Sequence, residues 1–159
     1  MLVEESRAAV RDARDARGWT RPLAGGWCFD ALPGTVERLL TGATTRPQLP
    51  EAALGDLADG VDRVLLVYLD ALGWHDVERH GAHPLLRRFL RDGRTSVLTT
   101  RWPSTTSVCV TTIHTGLSPE EHGVAEWFCY HPPLDRMIAP LPFGFHDGPR
   151  DGLVGAGVA

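Results

Sequence analysis

No stretch of this chain approaches the roughly 20 consecutive apolar residues needed to span a bilayer, so a membrane-embedded helical protein is not expected. The first 17 residues also lack the apolar core of a secretory signal. They instead mix Glu4, Glu5, Asp12 and Asp15 with Arg7, Arg11, Arg14 and Arg17, and export by that route is not expected. Cysteine is scarce. Cys28, Cys109 and Cys129 are odd in number, far apart and include no CxxC pair, which leaves no disulfide framework or thiolate metal site to read. They are expected as buried thiols in a reducing compartment, with a cytoplasmic location as the default. There is no excess of positive charge: the net charge is −4, which gives no reason to expect a nucleic acid or an anionic membrane surface as partner. Internal repeats are absent too. What remains is ordinary for a globular chain of 159 residues, with 43% hydrophobic and 23% charged residues.

Glycine and proline punctuate the chain and place most of its helices. Residues 4–17 favour a charge-laced helix with a narrow apolar side. Residues 21–33 are turn-rich and carry Trp27, Cys28, Phe29 and Leu32 as anchors. Pro33 and Gly42 bracket a helix over residues 35–40, and residues 51–59 read as a short helix ending at Gly60. A further short helix fits between Gly73 and Gly81. From His83 to Gly93, Pro84 opens a helix whose Leu85, Leu86, Phe89 and Leu90 share one face and which Gly93 closes. Its arginines, Arg87, Arg88, Arg91 and the trailing Arg94, read as a solvated face or as a phosphate-binding patch.

The organising stretch runs from Arg63 to Gly123. Val64-Leu65-Leu66-Val67-Tyr68-Leu69 stops on Asp70, and a continuous aliphatic run bounded in this way reads as a strand buried on both faces of a parallel sheet. Thr95–Thr100 reads as a second strand. It runs into the loop 101–105 and then a helix over Thr106–Leu117, which is rich in poor helix formers and would need burial of Val108, Cys109, Ile113 and Leu117. Pro119–Gly123 makes an exit turn. Val124–Tyr130 reads as a third strand, Arg136–Ala139 as a short return strand, and residues 140–159 as irregular.

Two residues in this stretch permit chemistry together. Ligands of α/β sheets bind beyond the carboxyl ends of strands, where Asp70 would sit as a hard-metal ligand; alternatively, Asp70 caps the following helix. Thr106 lies at the start of a helix, where backbone N–H groups and the dipole suit a phosphate and put a hydroxyl nucleophile within reach. Its alternative role is that of a plain N-cap.

The strings VLLVYLDALGW and RWPSTTSVCVTTIHTGLSPEEHGV make the resemblance specific. Over roughly residues 62–127 they resemble the amino-terminal half of the alkaline phosphatase superfamily. The type I phosphodiesterase/nucleotide pyrophosphatase group is the most similar branch. The resemblance implies a three-layer α/β/α fold of which this chain holds the amino-terminal part, with a lead-in over 1–60 and the catalytic portion over 61–159. It also implies a phosphoester hydrolase with two divalent metal ions, zinc being the usual occupant. Asp70 falls on the metal-binding aspartate and Thr106 on the metal-held nucleophile, with Thr105 one residue away as a rival. His122 and Gly123 match an exit motif that is architectural in the family. Where nucleotide pyrophosphatases carry an asparagine that holds a phosphoryl oxygen, this chain has Trp127. His146-Asp147-Gly148 is similar to a ligand motif of the family only in part, and His75, His80, His83, His114 and His131 read as surface or structural. A small phosphodiester or phosphonate-like substrate is expected over a sulfate ester, since the turn lacks the C/S-x-P-x-R setting of sulfatases. The remaining metal ligands are expected past residue 159, so the chain alone is expected to be inactive. Two other readings stand beside this one: a phosphotransferring mutase of the same superfamily, and a non-catalytic partial domain used for binding or assembly.

Overall fold

The protein is described by a computed structural model covering residues 1–148, 150 and 152–158. It divides into two compact units, Met1–Thr100 and Arg101–Ala159. Among the described residues, no helix is long and apolar enough to cross a membrane.

In the first unit the helices begin and end where proline and glycine place them. Helix α1 covers Glu4–Asp12, with Glu4 and Glu5 complementing its amino-terminal dipole. Helix α2 covers Leu32–Thr41, with Pro33 in its first turn and Gly42 as a left-handed cap (φ 81°). Glu51–Leu54 forms α3, and a 3-10 turn over Gly55–Asp59 continues it to Gly60. Trp74–His80 is α4, and Pro84–Asp92 is α5.

The core of this unit is built on buried hydroxyls as much as on apolar side chains. Val3, Ala13, Trp27, Cys28, Ala31, Leu49, Leu54 and Val97 are buried. Ser6 Oγ donates to the Val3 carbonyl (2.7 Å) and accepts from Val97 N–H (2.9 Å). Thr35 Oγ1 donates to the Ala31 carbonyl (2.6 Å) and accepts from Leu49 N–H (2.8 Å). Each hydroxyl thereby satisfies a backbone group that burial would otherwise strand. Burial raises the Cys28 thiol above its ordinary pKa, as expected of an inert core cysteine.

The turn before α3 presses on α2 at Gly34. A Cβ there would lie 2.1 Å from the Pro47 carbonyl oxygen and 2.9 Å from Arg46 Cβ. In an open helix Gly→Ala stabilises by about 0.5–1 kcal/mol. Here the sign should reverse, and Gly34→Ala is expected to cost about 1–3 kcal/mol of overpacking. A denaturant titration checks this through the unfolding midpoint: a midpoint unchanged or raised would show that residues 46 and 47 can yield.

The expected strands of this unit come out differently. Residues 95–100 do take parallel partners, but as two single bridges to the lead-in segments, Thr95 with Leu2 and Thr99 with Cys28. Val3 N–H donates to the Thr95 carbonyl (2.8 Å) and Phe29 N–H to that of Thr99 (2.9 Å). The run Val64–Leu69 is not a buried strand. It passes without turn or bend and pairs with no strand among the described residues. Leu65 is 88% exposed and Val67 67%. A strand exists only through the N–H and carbonyl groups of a neighbouring strand, and among the described residues no strand or bridge pairs with this run. One local anchor is the Tyr68 ring, 5.8 Å from that of Phe29.

The second unit carries helices α6 (Thr106–Thr115) and α7 (Pro119–His122) and a three-stranded antiparallel sheet. Strands β1 (Cys129–His131), β2 (Arg136–Ala139) and β3 (Gly144–Phe145) lie in that order, with Cys129 opposite Ile138 and Ile138 opposite Phe145. The expected return strand is present within its expected bounds. The third strand shrinks to 129–131 and is antiparallel, because the short turn through Pro132–Leu134 and left-handed Asp135 (φ 48°) folds the chain straight back. A short helix, α8 (Gly152–Gly155), buries Leu153 in the region expected to be irregular. At positions 149, 151 and 159 that expectation lies outside the described residues. The elements make up a mixed helical and small-sheet structure compatible with the α/β class, and the three-stranded sheet of the second unit is antiparallel.

Candidate active site

Asp70 ends the apolar run in an exposed turn. Its Oδ1 accepts from Ala71 N–H (3.0 Å), and Ala71 sits at φ 60°, a left-handed position that costs a non-glycine residue about 1–2 kcal/mol. The alternative role as helix cap is taken by other residues. Gly73 is the N-cap of α4, and the Asp76 carboxylate accepts from Gly73 N–H (3.0 Å).

Thr106 is the first residue of α6, and the N-cap is Thr105, with extended backbone (φ −85°, ψ 156°). No side-chain hydrogen bond caps this helix. The Oγ1 of Thr105 is buried without a partner, and so is Oγ of Ser107, whose residue is fully buried. An N-cap threonine normally turns its hydroxyl onto the N–H groups of the first turn. Thr105 does not, so α6 starts with hydroxyls on three successive residues and no capping hydrogen bond from the side chain of its N-cap residue. That is the setting in which a helix amino terminus can receive an anion.

The rest of α6 shows how a helix of threonine and valine holds together. Thr111 Oγ1 donates to the Ser107 carbonyl (2.8 Å) and Thr115 Oγ1 to that of Thr111 (2.7 Å), the back-bonding that keeps such hydroxyls satisfied within a helix. Val108 and Cys109 are buried as expected, while Leu117 stays exposed and the burial goes instead to Ser107 and Thr112. Gly116 closes the helix at φ 68°. Helix α7 opens with the Glu121 carboxylate accepting from Ser118 N–H (2.7 Å), which holds that carboxyl below its ordinary pKa. Arg101 donates to Glu120 (2.6 Å), tying the loop before α6 to α7.

Asp70 belongs to the first unit and Thr106 to the second. Among the described residues, no group of three or more His, Cys, Asp or Glu side chains could hold a metal ion. A catalytic zinc typically takes about three protein ligands, so these residues do not by themselves fit the metal centre that the resemblance implies. The His146-Asp147-Gly148 segment is engaged otherwise. Asp147 accepts from Arg136 (2.7 Å), and the His146 ring meets Phe128 edge-on with centroids 4.5 Å apart. Trp127 is 43% exposed.

One part of the site escaped the sequence reading. Thr112 Oγ1 lies 3.2 Å from Nε2 of His122, whose Nδ1 accepts from Val124 N–H (3.0 Å). The exit histidine thus clips α7 and the chain after it onto α6. The available signal was the position of Thr112 on the buried side of α6, one turn before Gly116.

Comparison with known families is decided by the stretch just described. Residues 64–139 match the family model of type I phosphodiesterase / nucleotide pyrophosphatase. The matched segment contains Asp70, the loop 101–105, Thr106, the exit helix and strands β1 and β2, a little under half of the chain. It is consistent with membership of the alkaline phosphatase superfamily, as a partial domain. No match was found among curated proteins or among solved structures.

Proposed function

We propose that this chain is part of a phosphoester hydrolase of the phosphodiesterase lineage, acting on a small phosphodiester or phosphonate-like substrate, with Thr106 as its nucleophile. The observation that carries the reading is the match over residues 64–139, which spans Asp70 and Thr106 in the family's order. The uncapped start of α6 supports it chemically. The amino terminus of α6 orients a non-bridging phosphoryl oxygen, and Thr106 Oγ1 attacks phosphorus. The bond to the leaving oxygen breaks, that oxygen departs as an alcohol, and the phosphoryl group stays on Thr106 until water releases it.

Asp70 is the residue of this chain offered to a divalent metal, zinc by family habit; a centre there needs further donors, and no step of the reaction is assigned to it. Asp70→Asn is expected to lower the metal content of the active protein by at least half while leaving the fold unchanged. Metal analysis beside circular dichroism checks this, and unchanged stoichiometry would remove Asp70 from the ligand set. The experiment that tests the function is hydrolysis of a bis-nitrophenyl phosphodiester by an active protein carrying these residues. Turnover should exceed that on the matching sulfate ester by orders of magnitude. Preference for the sulfate would contradict the substrate class.

A further inference from the structure

We infer that His122 is an acid-sensitive latch that holds the chain after α7 against α6 only while its imidazole is neutral. The geometry fixes the tautomer. Val124 N–H can only donate, so Nδ1, 3.0 Å away, must be the unprotonated acceptor. The proton of the neutral ring therefore sits on Nε2 and is donated to Thr112 Oγ1 at 3.2 Å. Thr112 is almost fully buried, so the ring links a core position of α6 to the backbone two residues beyond itself. A second proton would go to Nδ1, and two N–H donors would then face each other across 3.0 Å. The bond to Val124 must break, and the chain beyond Gly123 loses that tie.

The surroundings hold the ring neutral near pH 7. Desolvation is the largest influence and lowers its pKa below the ordinary 6.5; Glu120 and Glu121 of its own helix act in the opposite direction. Both carboxylates are engaged elsewhere, Glu120 with Arg101 and Glu121 with Ser118 N–H. From α6, the element packed against it, the group that faces the ring is the uncharged Thr112. With the folded pKa depressed, the latch is fully closed above the unfolded value and opens as pH falls through the folded one. Each pH unit below that point cuts the neutral fraction about tenfold.

The test is hydrogen exchange at Val124 in the full chain between pH 8 and pH 4.5, with rates divided by intrinsic ones, alongside nitrogen chemical shifts of the His122 ring. The expected results are an Nε2–H tautomer at pH 8 and protection at Val124 that falls about tenfold per pH unit once the ring titrates. His122→Asn puts an amide oxygen near the position of Nδ1 and cannot titrate. It should keep the protection and remove its pH dependence. An Nδ1–H tautomer, or a Val124 protection factor that stays constant while the His122 shifts titrate, would overturn the inference. So would an unchanged pH dependence in His122→Asn.

Discussion

Replacing Thr106 by alanine should abolish turnover in any active protein that carries these residues. Loss of a covalent nucleophile costs on the order of 10⁴-fold or more in kcat, because neighbouring binding groups cannot supply the missing bond. Thr106→Ser should be far milder, on the order of tenfold. Its alkoxide oxygen remains, and what is lost is the methyl that restricts the χ1 rotamer. The neighbouring residue provides the internal control. Thr105 Oγ1 is buried and has no hydrogen-bond partner, so Thr105→Ala removes an unsatisfied polar group and should leave both folding and turnover close to wild type. Steady-state kinetics on the three variants separate the candidates. If Thr105→Ala were the dead variant and Thr106→Ala active, the nucleophile would be the helix cap and not the first helical residue.

The second large effect concerns residues 1–159 by themselves. Supplied with zinc, they should show no phosphodiester turnover above that of their own Thr106→Ala variant. The described residues bring together no group of three or more metal-ligating side chains, whereas a catalytic zinc takes about three protein ligands. The same polypeptide should self-associate. Leu65, Val67 and Leu69 are each more than half exposed in a run that pairs with no strand among the described residues, a composition and geometry that invite pairing with other chains. Assay of a nitrophenyl diester and monoester, with light scattering on the same sample, checks both parts. Turnover that vanishes in Thr106→Ala, from a monodisperse monomer, would mean that these residues form a complete site.

These two predictions rest on parts of the chain that were legible to different degrees. Helices were legible because their signals are local. Pro33 and Gly42 mark α2, and Pro84 and Gly93 mark α5; α6, expected to reach Leu117, stops at left-handed Gly116, and the expected exit turn is the short helix α7, closed by left-handed Gly123. The return strand at Arg136–Ala139 was legible because a tight turn of Pro132, Pro133 and Asp135 precedes it. The run Val64–Leu69 misled because its composition states what environment it needs, not whether that environment is present. Burial on two faces is a property of neighbours that are far away in sequence. At the site, the hydroxyl-rich start of α6 and the role of Asp70 as the end of a run were visible from residue type and spacing. That Gly73 and Asp76, not Asp70, cap α4 follows only from hydrogen bonds, and so does the failure of Thr105 to turn its hydroxyl onto α6.

The identity of the attacking oxygen is best read directly. An active protein quenched in acid during turnover of a phosphodiester should carry the phosphoryl group on one residue of the peptide spanning 102–117. Fragmentation by mass spectrometry should place it on Thr106, and Thr106→Ser should carry it at the same position. A label on Ser104, Thr105 or Ser107, or turnover with no labelled peptide at any quench time, would contradict the account.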